Sequence, residues 1–148
     1  LQTASKKLSR RALHWRMRGQ PEADILVAER KLRGVEQFDK LHRADVVIVS
    51  FGKSGRTWLR VMISHLFRVM YKFPENAILG FDNFHNLNRE VPKTFFTHDN
   101  YIKDFTGDFD TKAPFYDKRV ILLARDPRDV AVSQFFQWKF RVKSTKIA

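Results

Sequence analysis

Between Phe51 and Thr57 the chain reads Phe-Gly-Lys-Ser-Gly-Arg-Thr. A full positive charge at Lys53, hydroxyls at Ser54 and Thr57, and glycines at positions 52 and 55 are gathered in one short stretch. That composition suits an oxyanion. Glycine lets the backbone approach a ligand closely. The free N–H groups and the dipole of a helix that starts there favour negative charge. A second set lies at Arg125, Asp126, Pro127, Arg128, Asp129 and Ser133. A guanidinium grips a phosphate through paired hydrogen bonds, and Ser133 stands at i+4 from Asp129, one turn up from a helix start. A third group is His98, with the carboxylates Glu75, Asp82 and Glu90, side chains whose types can take up a proton. Blander readings exist for both loops: a solvated lysine on an ordinary strand–turn–helix, and a well-capped helix with a charged first turn.

Positioning these groups requires strands that run into them and helices that leave them. Val46 to Val49 is a continuous β-branched run, which predicts a buried strand. From Thr57 to Tyr71 apolar residues recur on each helical turn, at Leu59, Met62, Ile63, Leu66, Phe67 and Met70. Arg119 to Ala124 predicts a second buried strand. Asp126 suits a helix N-cap, Pro127 the first helical position and Asp129 the first turn. The helix they start is predicted to run to about Phe140 and to bury Val130, Ala131, Phe135 and Trp138. Thr94 to Thr97 is a short strand ending at His98. Two parallel strands, each followed by a helix, bring both loops to the carboxyl edge of one sheet, where α/β proteins bind ligands. Ala77 to Arg89 and Asp99 to Lys118 read as loop-rich, and Phe81, Phe84 and Phe95 are candidates to line a pocket.

The amino-terminal stretch differs. Ser5 to Arg18 predicts a basic helix packed through Leu8, Ala12 and Trp15 and stopped by Gly19 and Pro21. A second helix is predicted from Pro21 to near Gly34. The expected organisation is a helical extension, residues 1–44, packing on a domain of residues 45–148. A chain of 148 residues with 43% hydrophobic content and 14 phenylalanines excludes disorder. The net charge of +12 attracts polyanions without choosing among them. The absence of cysteine excludes disulfides and thiolate metal sites. No run approaches the ~18 apolar residues of a membrane span. The chain starts at Leu1 rather than Met, as a trimmed or partial chain does. The expected compartment is the cytoplasm, with the Golgi lumen as the alternative.

Lysine before the second glycine excludes the Walker A order. Lys-Ser-Gly-Arg-Thr-Trp, residues 53–58, instead resembles the phosphosulfate loop of sulfotransferases that depend on PAPS (3′-phosphoadenosine 5′-phosphosulfate). Their usual form is Pro-Lys-Ser-Gly-Thr-Thr-Trp, so Gly52 stands in place of proline and Arg56 in place of threonine. Arg-Asp-Pro-Arg-Asp, residues 125–129, followed by Ser133, resembles the same family's 3′-phosphate motif with the same separation. Phe96-Thr97-His98 resembles the Lys-Thr-His of the cytosolic members, without the lysine. The resemblance runs from Val46 to Trp138, the donor-binding half of the family.

It implies an α/β fold with a parallel β-sheet flanked by helices, the P-loop-NTPase-like sulfotransferase fold, incomplete at its carboxyl end. It implies in-line transfer of a sulfuryl group from PAPS to an acceptor hydroxyl or amine, leaving PAP and using no metal. The implied donor contacts are Lys53, Ser54, Gly55, Arg56, Thr57, Trp58, Arg125 and Ser133. Trp58 would stack near the adenine, His98 would be the base, and Lys53 would stabilise the leaving oxygen. Ser133 would hold Lys53 back until the acceptor arrives. Expected partners are a small-molecule or polysaccharide acceptor, with no specific nucleic acid, no transmembrane segment, and homodimerisation left open. Two alternatives come from other classes: a P-loop-type nucleotide phosphotransferase, and a non-catalytic basic nucleic-acid-binding domain.

Overall fold

A computed structural model describes residues 2–141, with side chains from Leu8 onward. The chain runs α1 (Gln2–Arg16), α2 (Glu22–Arg43), β1 (Val46–Ser50), α3 (Arg56–Tyr71), α4 (Asn83–Leu87), β2 (Thr94–Thr97), α5 (Asn100–Thr106), a 3-10 turn (Ala113–Phe115), β3 (Arg119–Leu123) and α6 (Pro127–Phe140). The strands form one parallel sheet in the order β2-β1-β3. Val46 pairs with Thr94 on one side and with Arg119 on the other. This is the α/β architecture the two strand–loop–helix stretches predict.

Side chains alternate across a strand, so paired neighbours share a face. Val47 and Phe95 are partners and point into one core, with Leu41 of α2 and Ile102 of α5. Ile48 and Phe96 are partners on the opposite face, where Phe96 packs with Ile63 and Phe67 of α3 against Leu79, Phe84 and Val91. Helices therefore cover both faces beside β2. Ser64, buried on α3, accepts from the Leu79 N–H at 2.8 Å and donates to the Arg60 carbonyl at 2.6 Å, which ties the loop after α3 to the helix.

Five expectations need correction. The first helix does not pack through Leu8, Ala12 and Trp15, which all lie exposed. The second helix does not stop at Gly34 but continues to Arg43. Gly34 is buried against α5, where a Cβ would collide with the Phe105 Cβ and the Tyr101 carbonyl oxygen. The glycine serves close helix approach rather than termination. Next, β3 is not buried. Four of its five residues are exposed, because no further layer among the described residues covers it. For the same reason α6 buries only Val130, and Ala131, Phe135 and Trp138 lie exposed. Finally, Phe84 and Phe95 belong to the cores rather than to a pocket, with Phe84 fully buried. Both loop-rich stretches also hold a short helix, α4 and α5.

Candidate active site: a cationic cleft at the carboxyl edge of the sheet

The turn from β1 into α3 is sharp. Lys53 takes a left-handed conformation with φ 66°, and Gly55 follows with φ 93°. For lysine that backbone costs about 1 kcal/mol, so the surroundings must hold it. Gly55 is the N-cap of α3, with no side chain capping the helix and no acid in its first turn. The first N–H groups of α3 are thus left to an external acceptor. A Cβ on Gly52 or Gly55 would meet nothing within 4 Å, so a ligand can approach both. Ser54 is buried, and its hydroxyl has no hydrogen-bond partner among the described residues.

α6 begins in the opposite way. The Asp126 carboxylate accepts the Arg128 N–H at 2.9 Å, closing that helix start. The Arg128 guanidinium also binds it, and this side-chain hydrogen bond, more than the backbone one, holds the Asp126 carboxyl below its ordinary range. Asp126 and Pro127 occupy the N-cap and first-turn places the sequence predicts.

A cavity of about 720 Å³ lies between these starts, lined by Gly52, Lys53, Gly55, Arg56, Thr57, Trp58, His98, Arg125 and Ser133, with Gln134, Gln137 and Arg141. Every predicted site residue reaches it except Ser54, which lies beneath the loop beside an apolar cavity lined by Phe51, Leu122 and Val130. Trp58 stands at the rim, 75% exposed. Arg125 joins the two loops. It donates to the Lys53 carbonyl at 3.2 Å and meets Asp129 at 3.5 Å. The Lys53 ammonium donates to the Gln137 amide oxygen at 2.5 Å rather than to Ser133. Gln137 is the residue that sequence reading missed. Its signal was its spacing of i+4 from Ser133, which puts both on one face of α6.

His98 follows β2. Its Nδ1 is 2.5 Å from the Ser50 carbonyl oxygen. A carbonyl can only accept, so Nδ1 carries the proton and Nε2 of the neutral ring is left as an acceptor. The segment is pinned on both sides of the imidazole. The Thr97 hydroxyl donates to Gln37 of α2 at 3.0 Å and accepts the Asp99 N–H at 2.9 Å. Asp99, left-handed at φ 58°, binds the Lys112 ammonium at 2.7 Å. That bond is the main reason the Lys112 pKa is raised. The carboxylate alternatives lie elsewhere. Glu75 faces another cavity with His65, Arg68 and Lys72, and neither Asp82 nor Glu90 lines the cleft. His85 is engaged with the Val91 carbonyl at 2.9 Å.

The sulfotransferase domain family matches residues 43–146. This chain belongs to that family. The chain is similar to human sulfotransferase 6B1, with 26% identity over 137 residues that cover 87% of this chain and 43% of that protein. It is similar to sulfotransferase 6B1 of Pan troglodytes, with 25% identity over 139 residues, 88% of this chain and 44% of that protein. The chain thus spans less than half the length of these relatives. No solved structure matches it. No helix among the described residues is long and apolar enough to cross a membrane.

Proposed function

We propose that the cleft binds PAPS and moves its sulfuryl group to an acceptor hydroxyl or amine. The observation that carries this is convergence: Lys53, Arg125, Ser133 and His98 come from three separate segments and line one cavity. The residues fit the donor. An uncapped helix start and two open glycines make a cradle for an oxyanion. Arg125 and Ser133 stand one helix start away for a second phosphate, which separates PAPS and PAP from ATP and ADP.

The bound donor supplies the sulfuryl group and, on its transfer, the leaving phosphate oxygen. In this reading the residues of the chain do the rest. Lys53, Ser54, Gly55, Arg56 and Thr57 hold the phosphosulfate end, and Trp58 lies against the base. His98 accepts the acceptor's proton at Nε2, with Nδ1–H held by Ser50. Lys53 places its charge on the oxygen that gains negative charge, the kind of contribution that is usually the largest. Lys53 rests on Gln137, a hydrogen bond that it gives up to serve the donor.

Calorimetric titration with PAP, with ADP as control, tests the reading. Saturable PAP binding with much weaker ADP binding is expected. Equal affinity for the two overturns the second-phosphate site and favours the nucleotide phosphotransferase. In the full-length protein, Lys53→Ala is expected to remove most transfer activity. A rate near that of the unaltered protein removes Lys53 from the mechanism.

A further inference from the structure

α1 presents to solvent the face that the sequence assigns to packing. Its half-buried side is Arg10, Leu13 and Met17, at the i, i+3 and i+7 spacing of one helix face. Arg10 meets Glu36 of α2 at 3.6 Å, and His14 meets Glu29 at 2.5 Å. That side is therefore the one turned to α2. Leu8, Ala12 and Trp15 recur at i, i+4 and i+7 on the opposite side. All three are exposed, Leu8 by 64% and Trp15 by 77%. The helical repeat puts Arg11 on one border of this stripe and Arg16 on the other, and both are exposed. The sequence around them carries one sign of charge. Residues 1–21 hold six Lys and Arg and no Asp or Glu, half of the net charge of +12.

An apolar stripe bordered on both sides by cations has a specific complement. A second copy of the chain would set arginines against arginines. A nucleic acid would neutralise the cations and stack on Trp15, but it would leave Leu8 facing phosphate and water. An anionic lipid surface satisfies every part of the face. Its headgroups take Arg11 and Arg16, and the boundary of its acyl chains takes Leu8 and the indole of Trp15, a ring that settles at that depth. We infer that the Leu8, Ala12 and Trp15 face of α1 is a docking surface for membranes rich in anionic lipid. The helix lies in the plane of the interface, so the contact is peripheral. This is independent of the sulfuryl-transfer reading, since none of the three residues lines the cleft.

Sedimentation of the full-length protein with sucrose-loaded vesicles tests this. Vesicles of phosphatidylcholine with about a third phosphatidylserine are expected to bind about 10-fold more tightly than phosphatidylcholine alone, and the gain should shrink as salt is raised. Trp15→Ser removes the apolar anchor and is expected to weaken binding to the anionic vesicles about 10-fold. Arg11→Gln together with Arg16→Gln should weaken it by about the same factor, whereas Arg11→Lys with Arg16→Lys should keep most of it. The substituted side chains are exposed, so the circular dichroism of every variant should match that of the unaltered protein. Equal binding to both kinds of vesicle, or binding to neither, overturns the inference. So does anionic-vesicle binding that Trp15→Ser leaves unchanged, because the excess charge of the whole chain then accounts for it. A mixed-sequence RNA oligonucleotide that binds more tightly than the anionic vesicles, and loses affinity with the same substitutions, assigns the face to nucleic acid and overturns the membrane contact.

Discussion

The two strands that flank β1 are paired to it in the same way and packed in opposite ways. β2 and β3 are both parallel to β1 and in continuous register with it. Yet three of the four residues of β2 are buried, whereas four of the five in β3 are exposed. β2 has helices over both faces. β3 has α6 beside it, which buries Val130 alone. Backbone pairing and side-chain burial are therefore separable, since the first is decided by neighbouring strands and the second by layers. The cleft draws on both flanks. His98 is carried by the packed one, and Arg125 and Ser133 by the open one.

Substitutions on each flank should report this asymmetry. The largest effect is expected from Phe84→Ala on the packed flank, a loss of about 3–5 kcal/mol in denaturant unfolding. A loss below 1 kcal/mol would show that this core does not hold the flank. On the open flank, Arg125→Met should weaken PAP binding by about 2–3 kcal/mol while leaving the melting temperature almost unchanged. A large drop in melting temperature would make Arg125 a structural residue. Gly34→Ala forces a methyl into the contact between α2 and α5 and should cost about 1–3 kcal/mol of stability. Leu122→Gln, at a residue 73% exposed, should stay within about 0.5 kcal/mol, and a larger loss would mean that β3 is covered in solution.

The smallest effect expected is one of pH. The His14 hydrogen bond, before the charge of Arg33, holds the Glu29 carboxyl below its ordinary value of 4.5. A carboxyl depressed in the folded state stabilises fully above its unfolded pKa, and that stabilisation is lost as pH falls through the folded one. The stability difference between the unaltered protein and Glu29→Gln should therefore be present just above pH 4.5 and shrink below it. A difference that grows on acidification would reverse the sign.

What could be read in the sequence was what is local. The β-branched run at Val46 to Val49, the glycines of the first loop, and Asp126-Pro127 each fix backbone conformation within a few residues, and the elements formed where those signals lie. The loop residues then met because parallel strands present the same end. The misreadings were all non-local. Gly34 has the composition of a helix stop, and only the positions of Tyr101 and Phe105 reveal it as a contact. The apolar run at Arg119 to Leu123 identifies a strand, but its burial depends on layers contributed by other segments. Phe84 looks the same in a sequence whether it lines a pocket or fills a core. The hydrogen bond of Lys53 to Gln137 spans 84 residues.

The strand order also sets a timetable. Val46 finds its partners at Thr94 and Arg119, 48 and 73 residues later in the chain (46 to 94, 46 to 119). During synthesis at about 5–20 residues per second, the central strand waits roughly 2–10 s for its first neighbour to be made, and longer for the second. Through that interval Val46 to Val49 is an unpaired β-branched segment on a nascent chain, the kind of sequence that sticks to its own copies. A domain whose middle strand is translated before both neighbours depends on what shields the nascent chain while it waits.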